Sequence, residues 1–283
     1  MTMGTMVPIK NDPILVPLGV TPGISNEDYH ADRSAVSSTQ LKKILISPAH
    51  FLCALEDRLE SDSSDALLFG QVLHARLLEN ETFVERFSPM PDIDRRSTEG
   101  KTIAHLTSKA VDGLIIFPND WLARIDAMIA NTRQHNAIRE ALAAGEAEIA
   151  FAWIDPETGV KCKVKLDWWH SPSLILDAKT AVDITPDGFA KACARYAYHL
   201  SAYMYTEGVF QVTGERPEWI FVALEKTPPY TVCAYSPSRS MLARGKDDFR
   251  KALRLLAQCR ATGAFPPLQA EGKSRIVDLP RWF

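Results

Sequence analysis

An apolar segment near the middle of the chain carries an acid and a base that are two residues apart. The segment Leu174-Ile-Leu-Asp-Ala-Lys-Thr180 is apolar up to its aspartate, which is typical of a buried strand. Side chains alternate along a strand, so Asp177 and Lys179 project from one face and the intervening apolar residues from the other. An isolated pair of this kind is usually an ion pair at a strand end. It indicates a metal site only where further acids accompany it.

Two preceding segments also predict strands, and each brings an acid. Glu148 precedes an apolar strand, 149–154, which enters the turn Asp155-Pro-Glu-Thr-Gly159. The next strand, 160–168, contains Asp167. Three consecutive strands therefore bring an acid towards a common end. Mg²⁺ prefers a few carboxylate oxygens and keeps its other positions for water and phosphate, and a nearby lysine can orient or deprotonate the attacking water.

A helix upstream of these strands offers a histidine. Residues 65–79 show helical spacing of apolar residues, with Gly70 and His74 one turn apart. A lone histidine on such a helix is usually a core or surface group. The glycine would let another backbone approach closely while His74 points into the same cleft.

Eight short motifs occur along the chain in a fixed order: Gly23-Ile-Ser-Asn-Glu-Asp-Tyr-His30, Val36-Ser-Ser-Thr-Gln-Leu41, Gly70-x-x-x-His74, Arg95-Arg96, Asp155-Pro-Glu-Thr-Gly159, Asp167, Asp177-Ala-Lys179-Thr180 and Leu279-Pro-Arg-Trp282. In this order and spacing they resemble the nuclease domain of the RecE exonucleases (exonuclease VIII). That family belongs to the PD-(D/E)xK superfamily, which includes lambda exonuclease and the RecB nuclease domain. The resemblance covers nearly the whole chain from about residue 23.

The resemblance implies a catalytic site with two divalent metal ions. Two Mg²⁺ ions, for which Mn²⁺ is expected to substitute, would be held by residues of the helix and the strands: His74, Glu148, Asp167, Asp177 and Ala178. Lys179 would be the catalytic lysine, acting with the three acids and with Tyr205. The family usually has a glutamine four residues before this tyrosine, where the present chain has Ser201. One substrate-positioning contact therefore differs, and no metal ligand does.

The charge of the chain restricts how it could bind DNA. The formal net charge is −3, whereas many DNA-binding proteins are basic, so any DNA contact must be local. Arg95, Arg96 and Lys101, in a polar loop, are candidates for phosphate contacts that read no sequence, and a solvated charged loop is the equally open alternative. Ser37 and Ser38, at a predicted helix N-terminus, could receive a terminal 5′ phosphate through backbone amides. Most serines at such positions only cap the helix.

The order of predicted elements, with the resemblance, gives an α/β fold. We expect a PD-(D/E)xK core with a central mixed β-sheet flanked by helices, and an N-terminal helical elaboration. Residues 1–22 are rich in proline and lack periodicity, which predicts a flexible arm, and residues 23–283 form a single domain. After the acidic strands we predict one long helix, two strands and a final helix: 187–210, 219–224, 230–234 and 238–260. Helices are also predicted for most of 103–144.

Composition excludes several other classes. The five cysteines are scattered with no C-x-x-C pair, which excludes a recognisable zinc ribbon and argues against an iron–sulfur cluster. No apolar run approaches the ~18 residues of a membrane span. We therefore expect a cytoplasmic protein without membrane contact, in the bacterial host cytoplasm if a phage encodes it.

The expected function is metal-dependent exonuclease activity on linear double-stranded DNA. As the resemblance implies, digestion would run 5′ to 3′ and leave 3′ overhangs for a single-strand annealing recombinase, and the enzyme would be a homo-oligomeric ring of three or four chains. One alternative is another nuclease of this fold, an endonuclease or a helicase-coupled module, although the chain has no P-loop motif. Another is a non-catalytic DNA-binding assembly protein. The presence of Asp167, Asp177 and Lys179 together argues against this last alternative.

Overall fold

The computed structural model describes residues 15–56, 65–90, 113–170, 172–269, 272 and 274–278. The strands are β1 (Gly19–Thr21), β2 (Phe87–Pro89), β3 (Ile115–Phe117), β4 (Glu146–Ile154), β5 (Lys161–His170), β6 (Leu174–Ala181), β7 (Glu218–Glu225) and β8 (Val232–Tyr235). The helices are α1 (Asn26–Ala31), α2 (Ser38–Ile46), α3 (Pro48–Leu55), α4 (Asp65–Leu78), α5 (Phe83–Arg86), α6 (Asp120–Gln134), α7 (Asn136–Leu142), α8 (Pro186–Arg195), α9 (Tyr198–Thr213) and α10 (Arg239–Thr262). No helix in this described part is long and apolar enough to cross a membrane.

A six-stranded mixed sheet forms the centre of the domain. Its strand order is β1-β4-β5-β6-β7-β8. Neighbouring strands are antiparallel except β6 and β7, which are parallel and are connected through α8 and α9. Parallel neighbours need such a crossover connection, whereas β4, β5 and β6 follow one another through short turns. The expected central mixed sheet flanked by helices is confirmed.

Helices cover both faces of the sheet, so β6 is buried on both sides. Ile175 belongs to a core cluster formed with α2, α3, α8, α9 and α10. Leu176 and Ala178 belong to a second cluster on the opposite face, formed with α4, α6 and α7. This alternation confirms the period of two read from the sequence. It also fixes the face from which Asp177 and Lys179 project.

From residue 15 onwards the N-terminal segment packs against the domain and is not a flexible arm. Residues 19–21 pair with β4 as an antiparallel edge strand, and Val16 is fully buried. The Val16 N–H donates to Asp32 Oδ2 at 2.9 Å, and this buried carboxylate also accepts from Lys161 Nζ at 3.1 Å. The prediction of an arm over 1–22 is therefore wrong for residues 15–22, because strand pairing with β4 and the hydrogen bond from the Val16 N–H to Asp32 hold this segment. Residues 1–14 lie outside the described part.

The single helix predicted over 187–210 is divided in two. Helix α8 ends at Arg195 and α9 begins at Tyr198, with Ala197 between them at φ 50°. Aromatic residues recur every seven positions across this break, at Phe189, Tyr196, Tyr203 and Phe210. This spacing is typical of one continuous helix and therefore does not reveal the change of direction. The prediction of helices over most of 103–144 missed β3, which pairs with β2 in parallel. Residues 103–112 lie outside the described part.

Replacing Asp32 with Asn should remove an acid-sensitive part of the stability. Burial favours the neutral form of Asp32, but hydrogen bonds from Ser34, Lys161 and the Val16 N–H outweigh burial and lower its pKa to about 2. A carboxyl group with a lowered folded-state pKa stabilises the fold above its unfolded pKa, and this contribution is lost as the pH falls from about 4 to about 2. The free energies of unfolding of wild type and Asp32→Asn, measured in urea, should therefore converge as the pH falls through that range.

Asp247 provides a matched control, because its side chain is exposed. Asp247→Asn should change the free energy of unfolding little at every pH. A difference between wild type and Asp32→Asn that stayed constant between about pH 4 and about pH 2 would contradict this interpretation of the Asp32 cluster.

Candidate active site

The site lies where β5 and β6 separate. These strands pair only at His170↔Leu174, Trp169↔Ile175 and Trp168↔Leu176. The next pair in register would be Asp167 and Asp177, and the ladder stops there. Beyond this point Val36 bridges to β5 instead, through its N–H to Lys161 O and its carbonyl to the Lys163 N–H, both at 2.9 Å. The start of α2 therefore lies beside the opening between the two strands.

Three charged side chains meet at this opening. Lys179 Nζ lies 2.7 Å from Asp177 Oδ2 and 3.9 Å from Asp167 Oδ2. The Asp167 carboxylate also accepts a hydrogen bond from the Ala178 N–H at 2.9 Å. A backbone N–H that would otherwise lack a ladder partner is thus satisfied by a side chain of the neighbouring strand. The aspartates and the lysine singled out in the sequence are brought together.

His74 reaches the same point from α4. Its Nε2 lies 2.8 Å from Ala178 O, and its Nδ1 lies 3.6 Å from Asp167 Oδ2. Val72 and Leu73, fully buried beside it, pack α4 onto the sheet. The helix predicted for this segment therefore directs its histidine at the edge of β6. The close backbone approach expected at Gly70 is wrong, because a Cβ added there would have no neighbouring atom of the described residues within 4 Å.

Glu148 lies opposite Asp167 on β4. The β4/β5 register is the same on both sides of this position, from Ala147↔Trp168 to Ile149↔Leu166. Glu148 itself has φ 57°, a left-handed conformation that is uncommon for a residue with a side chain. Its carboxylate is 2.9 Å from Lys165 Nζ. Like charges directly opposite one another destabilise a sheet, and this lysine offsets that repulsion.

The electrostatics of the cluster follow from burial. Burial raises the pKa of Asp177 to about 6 despite the neighbouring Lys179, and the Asp167 carboxylate adds to the rise. Burial opposes the charge of Lys179, but Asp177 and Asp167 outweigh it and raise the pKa of the ammonium. Burial also raises the pKa of Glu148, an effect that Lys165 opposes. The lysine stays protonated, and burial favours the neutral forms of Asp177 and Glu148.

Two residues beside this cluster, Lys42 and Tyr198, were not predicted from the sequence. Lys42 Nζ lies 5.7 Å from the centroid of the Tyr198 ring, and Lys179 Nζ lies 5.6 Å from it. Burial and the charge of Lys179 lower the pKa of Lys42 to about 8. No carboxylate in the described residues lies within 4.0 Å of the Lys42 ammonium. Nothing in the sequence distinguishes Lys42 from an ordinary lysine of an amphipathic helix.

The remaining predicted residues fall into two groups. Ser37 caps α2 in a complete capping box with Gln40, while Ser38 is buried near the Tyr205 hydroxyl. Burial and then Asp177 raise the pKa of the Tyr205 hydroxyl to about 12, so this tyrosine lies near the acids. The other group lies outside the described residues: Arg95, Arg96 and Lys101.

The donor set suits a hard divalent cation. It comprises carboxylates, one imidazole and the Ala178 carbonyl, which are typical ligands of Mg²⁺ and Mn²⁺. Asp177 Oδ2 is buried and has an ionic neighbour in Lys179 but no aligned hydrogen-bond donor. Within the described residues, no three His, Cys, Asp or Glu side chains converge as a ready ligand group. The Lys179 ammonium occupies the space between Asp167 and Asp177, and a metal would have to displace it.

A mixed sheet that opens between an aspartate strand and an Asp-x-Lys strand defines the protein as a PD-(D/E)xK fold. The chain belongs to the family described as "PDDEXK-like domain of unknown function (DUF3799)", whose model matches residues 37–273. This confirms the fold inferred from the resemblance to the RecE-type nuclease domain.

One solved structure shares this fold. A candidate exonuclease from Eubacterium rectale is 16% identical over 92% of this chain and 96% of its own, with a TM-score of 0.63. A phage-related exonuclease from Haemophilus somnus 129PT is 12% identical over 59% of this chain and 85% of its own, with a TM-score of 0.29. Only the first similarity is strong enough to support the shared fold. No curated protein shows a significant sequence match to the chain.

Proposed function

We propose that the protein is a metal-dependent exonuclease that digests linear double-stranded DNA from the 5′ end and leaves 3′ overhangs. The observation that carries the proposal is the cluster of Asp167, Asp177 and Lys179 at the point where β5 and β6 separate. Carboxylates that could hold metal ions, together with a charged lysine that could stabilise negative charge on the phosphate, are the groups that phosphodiester hydrolysis requires. Membership of the PDDEXK-like family and the fold shared with the Eubacterium rectale protein support it.

The residues have distinct tasks in this reaction. His74, Glu148, Asp167, Asp177 and the Ala178 carbonyl would hold Mg²⁺, with two ions per site and Mn²⁺ as a substitute. Bound divalent ions would activate water and stabilise the departing oxygen. Lys179 would place its ammonium against the attacked phosphate and stabilise the charge that develops there. Lys42, which has no acidic partner in the described residues, would neutralise a phosphate of the same strand.

The alternatives differ in where the enzyme would cut. An endonuclease or a helicase-coupled nuclease could use the same cluster, since the chemistry at one phosphate is identical. A non-catalytic DNA-binding protein would not need to keep a buried acid beside a buried lysine, because burying such charges costs stability. The intact cluster therefore favours an enzyme. Whether cleavage requires a free DNA end distinguishes an exonuclease from an endonuclease.

Linear duplex labelled at either 5′ or 3′ ends, incubated with Mg²⁺ beside closed circular DNA, tests the proposal. Wild type should release 5′-terminal label as mononucleotide and leave the circle uncut. Lys179→Ala should slow release by about 10²-fold or more while DNA binding persists, because the lysine acts on the chemical step. Lys251→Ala, which removes an exposed lysine of α10, should leave the rate unchanged. Cutting of the circle at the linear rate, or near-normal turnover in Lys179→Ala, would contradict the proposal.

The proposal includes an assembly and a partner. A chain of net charge −3 attracts DNA weakly at long range, so holding a duplex through repeated cleavage favours enclosure by a ring of three or four chains. The overhang would then pass to a single-strand annealing recombinase. Light scattering should give a mass of three or four chains. A stable monomer at micromolar concentration, with distributive cutting, would contradict the ring.

A further inference from the structure

Two tyrosines are stacked where α8 joins α9. The ring centroids of Tyr196 and Tyr198 are 5.6 Å apart, with an interplanar angle of 27°. Tyr196 is 52% exposed, which is high for an aromatic ring beside a cluster of buried charges. Tyr198 is the inner ring of the pair, and it contacts both Lys42 and Lys179. An exposed aromatic face is thus connected to the catalytic lysine through one ring.

The backbone between the tyrosines is strained in a way that produces this stack. Ala197 has φ 50° and ψ 47°, in the left-handed region. A left-handed residue after a helix end is ordinarily Gly or Asn, because a Cβ is disfavoured there. Strained backbone of this kind concentrates at functional sites. Here it places the rings of residues two apart in the sequence face to face.

Three cationic side chains approach the stack, and one of them, Lys179, is also paired with Asp177. The Arg195 guanidinium carbon lies 5.5 Å from the Tyr196 ring centroid. The ammonium groups of Lys42 and Lys179 lie at the inner ring. An exposed ring flanked by cations matches the composition of single-strand binding surfaces, in which bases stack on aromatic side chains and cations hold the phosphates.

We propose that Tyr196 is a stacking platform for an unpaired nucleobase of the DNA strand whose phosphate is bound beside Lys42. The inference rests on the proposed function, because it takes the strand to be the one that enters the cluster of Asp167, Asp177 and Lys179. Stacking on a tyrosine ring tolerates every base, so the platform would hold a frayed end without reading sequence. Arg195, whose guanidinium carbon lies 5.5 Å from the Tyr196 centroid, would move off the ring to admit the base and would then bind the adjacent phosphate.

Binding of a short single-stranded oligonucleotide containing 2-aminopurine tests the platform. The measurement is made with EDTA, so that no strand is cut and binding is separated from catalysis. Wild type should quench the fluorescence of the probe when it is placed at one position of the strand. Tyr196→Leu should lose this quenching and bind about 10-fold more weakly, the order of magnitude for one stacked base. Tyr196→Phe, which keeps the ring, should behave as wild type.

Phe210 provides the matched control on α9. Its ring is 38% exposed, with the Arg216 guanidinium carbon 4.6 Å from its centroid, and it lies ~18 Å along the helix from Tyr198. Phe210→Leu should leave affinity and quenching unchanged. Wild-type affinity and quenching in Tyr196→Leu would overturn the proposal. An equal loss in Phe210→Leu would also overturn it, because the loss would then not depend on the stack.

A second measurement keeps the proposal testable if Tyr196→Leu fails to fold. With the wild-type protein, an abasic nucleotide moved along the strand should weaken binding at one position, and equal affinity at all positions would overturn the platform. The outcome is distinguishable from failure of the exonuclease proposal. Position-dependent quenching without nucleotide release in Mg²⁺ would contradict only the exonuclease, whereas release without any quenching would contradict only the platform.

Discussion

The separation of β5 from β6 is the constraint on which the site depends. A continuous ladder would place Asp167 and Asp177 opposite each other as a repelling pair. Instead the ladder stops, the Asp167 carboxylate accepts the Ala178 N–H at 2.9 Å, and Lys179 neutralises both acids. The segment at Val36 then occupies the free edge of β5 and brings α2 to the opening. The charges of Asp167, Asp177 and Lys179, the α2 lysine and the aromatic stack all lie beside this break.

Buried charges of both signs make this arrangement costly for the fold and suited to hydrolysis. A buried carboxylate and ammonium lose hydration that their attraction only partly replaces. Burial therefore destabilises the anionic form of Asp177 and raises its pKa to about 6. A divalent cation would stabilise this carboxylate more than it would stabilise a solvated one. The left-handed backbone of Glu148 adds a further unfavourable contribution to the free energy of folding. Such costs are tolerated where function requires the geometry.

Much of the core and the main acids could be predicted from the sequence. The period of two in β6 placed Asp177 and Lys179 on one face, and the capping box at Ser37 located the start of α2. A left-handed conformation at a residue other than glycine has no sequence signal, so the pattern around Ala197 predicts a continuous helix. Contacts between distant segments were equally invisible, since nothing near Lys42 in the chain indicates that it meets Tyr198.

Anomalous diffraction from crystals of the protein equilibrated with Mn²⁺ tests the central claim, that this cluster is a divalent-metal site. An anomalous peak is expected within ligand distance of the Asp167 and Asp177 carboxylates. The Lys179 ammonium should also move away from its 2.7 Å contact with Asp177. Crystals that bind Mn²⁺ elsewhere, with this ion pair intact and no peak at either aspartate, would contradict a metal site at this cluster.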